Sequence, residues 1–153
     1  MVTLNSFNII GISVRTTNKN NKSAEDIGKL WDQFFSENFS GKIPNKLSSN
    51  IYAIYTDYKS NYTEEYTTIL GLQVKSLEHI PDGLIGRHFS DENFEVITAR
   101  GEMPKAVVNA WIDIWNRDRE LQRKYTYDFE VYDDKSQKGE NSEVKIYLST
   151  NKK

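Results

Sequence analysis

Apolar residues recur along this chain with two different periods. From Ile27 they fall at Ile27, Leu30, Trp31, Phe34 and Phe35, the i, i+3, i+4, i+7, i+8 spacing of one helical face. Ser23 with Asp26 three residues on reads as a partial capping box before this helix. Gly41 and Pro44 mark the region in which it ends. A second stripe, Val107, Ala110, Trp111, Ile114 and Trp115, follows Pro104, a residue the first helical turn tolerates. Elsewhere the composition and alternation are those of strands: FNIIGISVRTT from Phe7, IYAIYTDY (Ile51–Tyr58), YTTILGLQV (Tyr66–Val74), FEVITARG from Phe94, TYDFEVYDD from Thr126 and EVKIYLST from Glu143. NKNNKS reads as a loop, KSNYTEE and KSQKGENS as polar hairpin connections, RDRELQRK as a charged connection or helix end, and the last residues, NKK, as frayed. SLEHIPDGLIGRHF reads as a linker with strand-like ends around a Pro-Asp-Gly turn.

The two halves share the order strand, helix, strand, strand. Helix positions 27, 30, 31, 34 and 35 fall on 107, 110, 111, 114 and 115 with a constant shift (111 − 31 = 80), so Trp31 meets Trp111. Past the helix the shift is 77 (132 − 55), which lays Tyr52–Asp57 on Phe129–Asp134 and Ile69 on Ile146. Matched element order, helical phase and strand register together indicate a duplication. The expected fold class is therefore α+β: a tandem βαββ repeat with antiparallel sheets, two main helices and a central groove where the units meet. It forms one domain over residues 1–153, with pseudo-repeats roughly 5–77 and 92–151.

Strand alternation sorts the side chains around that seam. Tyr52, Ile54, Phe129 and Val131 share one facing and are expected to pack on the helices. Ala53, Tyr55, Asp57, Asp128, Glu130 and Tyr132 share the other. Glu130 stands mid-strand, where glutamate is unfavourable; it is either a solvated outward acid or a charge held for a ligand. Tyr55 and Tyr132 are either pocket lining or half-exposed packing. Trp31, Trp111 and Trp115 belong to helix stripes that serve a core in the first instance. Alternation alone leaves open which facing meets the groove.

Composition narrows the function. The 153 residues are 37% hydrophobic and 12% aromatic, which is globular. A net charge of −2 with interspersed signs offers no field for a phosphate backbone, so no direct nucleic-acid binding is expected. Without cysteine, cysteine-ligated metals and cysteine nucleophiles are excluded. His79 and His88 are the only histidines, too few for a metal site, and no cofactor is expected. The glycines form no phosphate-cradling pattern. No segment approaches the ~20 apolar residues of a membrane span, and the N-terminal segment lacks the features of a signal peptide. The expected location is cytoplasmic, with no membrane partner.

The ordered set IGKLWDQF, YAIYTDY, YTTILGLQV, AVVNAWIDIW and YDFEVYDD resembles the GyrI-like small-molecule-binding family, which includes the effector-binding domains of AraC- and MerR-type multidrug regulators and the integron-associated effector-binding proteins. The likeness covers roughly Phe7 to Ser149. It implies two SHS2-type modules around a groove, in which an acid on the penultimate strand meets amphipathic, cationic or aromatic ligands among aromatic side chains. Glu130 in DFEVY matches that acid. With the register above, the implied ligand-binding set is Glu130, Tyr55, Tyr132, Trp111, Trp115 and Trp31. No DNA-binding module accompanies it, so the chain resembles a free-standing effector domain whose partner is a small amphipathic molecule. Two alternatives come with the resemblance. Some standalone relatives hydrolyse cyclopropane-bearing genotoxins, where Glu130 would be the general acid or base. One member inhibits gyrase, so a protein partner or an accessory role beside a transcription regulator is a further option.

Overall fold

The computed structural model describes Met1 to Lys153. The strands are β1 (Val2–Leu4), β2 (Phe7–Thr16), β3 (Lys46–Thr56), β4 (Tyr66–Val74), β5 (Ile85–Phe89), β6 (Glu92–Arg100), β7 (Tyr127–Tyr132) and β8 (Glu143–Ser149). The helices are α1 (Lys22–Ser36), a single turn α2 (Phe39–Lys42) and α3 (Lys105–Asn116). No helix is long and apolar enough to cross a membrane. All eight strands join one antiparallel sheet in the order β1-β6-β8-β7-β3-β4-β2-β5.

The inner six strands read alike from both ends when β2, β3 and β4 are exchanged for β6, β7 and β8. The two βαββ units thus merge into one sheet, and β3 meets β7 at the pseudo-twofold. The strand leading into each unit completes the other: β1 pairs with β6, and β5 with β2. Two short links, Asn5-Ser6 and Ser90-Asp91, connect these pairs, and Ser6 N–H donates to Asp91 Oδ1 at 2.6 Å. Sequence reading missed β1, which has only three residues and gives no periodicity to detect.

Closing the ends in this way changes what covers the sheet. Tyr52, Ile54, Phe129 and Val131 do not pack on the helices as the alternation suggested. They face the opposite side, where they join Phe7, Ile9, Ile69, Phe89, Phe94, Tyr127 and Tyr147 in an aromatic core on the sheet's inner face, onto which a cleft of about 410 Å³ opens beside Tyr52, Phe129 and Tyr147. The helices cover the flanks of the other face. α1 sets Leu30 and Phe34 against Ile10, Ile12, Leu70 and Leu72. α3 sets Val107 and Ile114 against Ala99, Val144, Ile146 and Leu148. β3 and β7 run beneath the seam between them, so the facing of Ala53, Tyr55, Asp128, Glu130 and Tyr132 is the helix side. The apolar set needs no helix because its rings pack on one another across the curl.

Two further expectations are corrected. Ala53 pairs with Leu70, and Glu130, its counterpart at the shift of 77, pairs with Ile146. Leu70, not Ile69, is therefore the counterpart of Ile146; a shift of 77 in both strands would put Ile146 on the wrong face. Ser23 does not cap α1. The helix begins one residue earlier, its N-cap Asn21 is left-handed (φ 57°), and Asp26 instead accepts from Lys22 Nζ at 2.6 Å and Thr16 Oγ1 at 2.9 Å. The α1 stripe is also narrower than its periodicity, since Phe35 is 61% exposed.

Gly11 of β2 lies opposite Gly71 of β4. A Cβ on Gly11 would stand 1.9 Å from the Leu70 carbonyl oxygen, which is backbone and cannot rotate away. Gly28, in α1, has open space around it. Gly11→Ala is expected to lower unfolding free energy by about 3 kcal/mol, and Gly28→Ala to raise it by about 0.5–1 kcal/mol. Urea denaturation reads both as opposite shifts of the midpoint.

Candidate functional site

The seam between α1 and α3 holds two carboxylates from β7, Asp128 and Glu130. They are two residues apart on one facing, and their exposures are 0% and 1%. A buried ionised carboxylate costs several kcal/mol unless it is paired, so what surrounds each one decides its chemistry.

Asp128 is fully paired. Its Oδ2 accepts from Tyr58 Oη at 2.5 Å and Arg123 Nη2 at 2.8 Å, and its Oδ1 accepts from the Ser149 backbone N–H at 2.8 Å and Ser149 Oγ at 3.2 Å. Every lone-pair direction is used, and the guanidinium balances the charge.

Glu130 is held differently. Its Oε2 accepts from Tyr55 Oη at 2.8 Å and from Trp111 Nε1 at 2.5 Å, and its Oε1 accepts from Tyr132 Oη at 2.6 Å. All three donors are neutral, no cation is paired with it, and one acceptor position on Oε1 is unused. Hydrogen bonds to a charged acceptor are worth about 1.5–3 kcal/mol each, which is how the group is tolerated at all. Burial pushes the carboxyl above its ordinary value, and the bonds from Tyr132, Tyr55 and Trp111 pull it back only in part. Burial, then the neighbouring charge of Glu130, holds the Tyr55 and Tyr132 phenols well above the usual range, so both remain protonated donors.

Pseudo-symmetry explains how the rings are placed. Trp31 and Trp111 are equivalent, and so are Tyr55 and Tyr132. Each tryptophan meets the tyrosine of the other unit edge-on: Trp31 with Tyr132 at 4.9 Å and 77°, Trp111 with Tyr55 at 5.3 Å and 77°. The symmetry breaks at one pair. Ala53 is both the counterpart of Glu130 and its direct partner across the β3–β7 ladder. A glutamate at both places would set two carboxylates opposite one another, an unfavourable pairing. The small alanine leaves a single charge among the rings.

Of the six residues expected at the site, Glu130, Tyr55, Tyr132 and Trp111 form one hydrogen-bonded cluster, and Trp31 joins it through Tyr132. Trp115 stands apart, stacked on Tyr62 at 5.7 Å and 9°. Sequence reading passed over Tyr66, which packs on both Tyr55 and Tyr58 and whose phenol burial pushes up to about 12. It also missed the pairing of Asp128 with Tyr58 and Arg123. The spacing of Asp128 from Glu130 carried part of that signal; nothing in RDRELQRK marked Arg123 as the buried charge. Two buried groups by the site are unpaired: Thr68 Oγ1, opposite Tyr55 on β4, and Arg123 Nε and Nη1.

The seam is closed directly over Glu130. A cavity of about 160 Å³ adjoins it, lined by Trp31, Phe35, Asn50, Ile51, Tyr132 and Asp133 among others. Tyr132 belongs to both places, lining the cavity while its hydroxyl donates to Glu130.

Comparison with known proteins fits this geometry to a family. The sequence model of the integron-associated effector binding proteins matches residues 1–149. YobU of Bacillus subtilis (strain 168), a candidate transcriptional regulator, is 28% identical over 145 residues, covering 93% of this chain and 91% of YobU. An integron cassette protein from the mobile metagenome of Vibrio cholerae superposes with a TM-score of 0.75 at 30% identity, covering 97% of this chain and 92% of that one. SAV2435, solved bound to tetraphenylphosphonium, shares the fold with a TM-score of 0.80 at 17% identity, covering 97% of this chain and 90% of its own. The family match over nearly the whole length, with the antiparallel α+β architecture beneath it, makes this chain a member of the integron-associated effector binding proteins.

Proposed function

We propose that the protein binds a small amphipathic organic cation at Glu130, in the manner of an effector-binding domain. The observation that carries this reading is the contrast within β7. Of two buried carboxylates on one facing, Asp128 has a cation and Glu130 has only neutral donors and an unused acceptor position. An organic cation supplies what Glu130 lacks. Its charge meets the carboxylate in a poorly screened setting, and its faces meet the rings of Tyr55, Tyr132 and Trp111 at about 0.5–2 kcal/mol each. Such rings impose few directional demands, so shape tolerance follows.

Access runs through Tyr132. The 160 Å³ cavity is smaller than the ~300–1,000 Å³ of a usual ligand pocket. Rotating the Tyr132 ring away from Glu130 joins the cavity to the carboxylate, and the arriving cation replaces the lost hydrogen bond. SAV2435, of the same fold, was solved with tetraphenylphosphonium, a bulky aromatic monocation of the kind this site would take. The assignment of YobU as a candidate transcriptional regulator supports reading the bound molecule as a signal. A raised carboxyl is also what a general acid needs, so a hydrolase using Glu130 is the competing reading. Release of product from an electrophilic substrate, lost in Glu130→Gln, would favour it.

Two outcomes are expected. Tryptophan fluorescence titration with tetraphenylphosphonium shows saturable binding that is about 10–100-fold weaker in Glu130→Gln (about 1.4–2.8 kcal/mol). The neutral triphenylphosphine oxide binds both proteins alike. Equal affinity of the two proteins for the cation rejects Glu130 as the recognition charge.

The second outcome concerns pH. Because the folded-state pKa of Glu130 is raised, the folded protein holds that proton more tightly than the unfolded chain does. The favourable contribution is full below the ordinary value of 4.5 and is withdrawn as pH rises through the raised one. In thermal melts the midpoint of the wild-type protein, relative to Glu130→Gln, should fall as pH rises through that window. Affinity for the cation should rise over the same interval. A relative midpoint that stays level or climbs contradicts an uncompensated buried charge.

A further inference from the structure

The charge on Asp128 is met by a guanidinium held in an unusual manner. The Arg123 side chain is 1% exposed. Of its three nitrogens only Nη2 makes a hydrogen bond, to Asp128 at 2.8 Å, while Nε and Nη1 have none. Nη1 lies 3.6 Å from Asp118 Oδ1, close enough for charge attraction but too far for a hydrogen bond. The remaining contacts are ring faces: the guanidinium carbon stands 4.4 Å over Tyr125 and 5.7 Å over Trp111. Tyr58, edge-on to Tyr125 at 5.0 Å, donates its hydroxyl to the same Asp128 oxygen. An arginine built in as a structural pin commonly has its fork of N–H groups matched by oxygens. This one is held by a single charge-assisted bond to Asp128, a longer attraction to Asp118 and aromatic faces, which is the way a pocket holds an organic cation.

The two acids therefore head parallel arrangements. Each accepts from a phenol on the β3 side of the seam, Tyr55 for Glu130 and Tyr58 for Asp128. The two phenols are bridged by the ring of Tyr66. Trp111 is the shared wall, giving its N–H to Glu130 and its face to Arg123. They differ in that one cation place is filled from within the chain.

We infer that the Asp128 cage, walled by Tyr58, Tyr125 and Trp111, is a second cation-binding site, with the Arg123 guanidinium as its tethered occupant. Arg123 is thus the residue that restricts external cations to Glu130. Without it, two buried carboxylates of equal chemistry would stand side by side, and a guanidinium-type or alkylammonium ion could enter at Asp128. The consequence for ligand choice rests on the reading of Glu130 given above; the cage itself does not.

The test is replacement of the missing head group. Arg123→Ala is melted in the presence of methylguanidinium chloride, against sodium chloride at equal ionic strength. Arg123→Met serves as a second variant that keeps the apolar stem. The expected result is a saturable rise in the midpoint of either variant, about 3–6 °C at ten times the dissociation constant. With Glu130→Gln present throughout, the rise is absent while Arg123 is intact, is retained in Arg123→Ala, and is lost when Asp128→Asn is added to Arg123→Ala. If neither single variant is folded on its own, methylguanidinium should raise the refolded yield where sodium chloride does not. The inference is overturned by no saturable effect on midpoint or yield, by loss of the effect in Arg123→Ala with Glu130→Gln, or, with Glu130→Gln present, by an equal effect while Arg123 is intact or by persistence after Asp128→Asn is added. Because Glu130→Gln retains the effect, the outcome is independent of whether tetraphenylphosphonium binds at Glu130.

Discussion

One negative charge without a positive partner governs the site. Glu130 is out of water, and only neutral N–H and O–H groups face it. Three such donors offset much of the desolvation cost but leave the charge itself unbalanced. Burial accordingly raises the carboxyl's hold on a proton, and on the proposed reading an arriving cation would meet the same imbalance. The aromatic neighbours suit both states, since phenol and indole groups donate to the carboxylate and offer π faces to whatever arrives.

The fold makes that imbalance affordable by separating two tasks. The inner face of the curled sheet carries the aromatic core, and the flanks of the other face anchor the helices. The central strands, whose inner facing already serves the aromatic core, are free on their helix side to carry acids. Near-symmetry then places one tryptophan–tyrosine pair on each side of the pseudo-twofold. The alanine at 53 ensures that the paired units present one unbalanced acid between them. Arg123, arriving from the irregular segment after α3, neutralises the neighbouring acid and leaves Glu130 distinct.

Much of this was legible in the chain. The stripe spacings located both main helices, and the shifts of 80 and 77 found the doubled unit and the counterparts Trp31/Trp111 and Tyr55/Tyr132. Alternation correctly grouped Tyr55, Asp128, Glu130 and Tyr132. It failed on which group meets the helices, because period two identifies a face without saying what covers it. Here the exchange of β1 and β5 between units decides that question, and pairings across some 90 residues, such as Val2 with Phe94, leave no local mark. The slip of Ile69 for Leu70 has a related origin: apolar residues on both faces of a doubly covered strand, as in TTILGLQV, let the register move by one without an evident penalty. Arg123 was hidden among charged neighbours of which Arg119, Glu120 and Lys124 are exposed and Arg117 and Asp118 half-buried.

The most direct measurement is the titration of the Glu130 side-chain carboxyl carbon by NMR, with and without tetraphenylphosphonium. The expected result is a midpoint above the ordinary glutamate range in the free protein, moving down when the cation is bound. A carboxyl that titrates in the ordinary range, or one whose midpoint does not move when the cation binds, would contradict Glu130 as an uncompensated buried charge that meets the ligand.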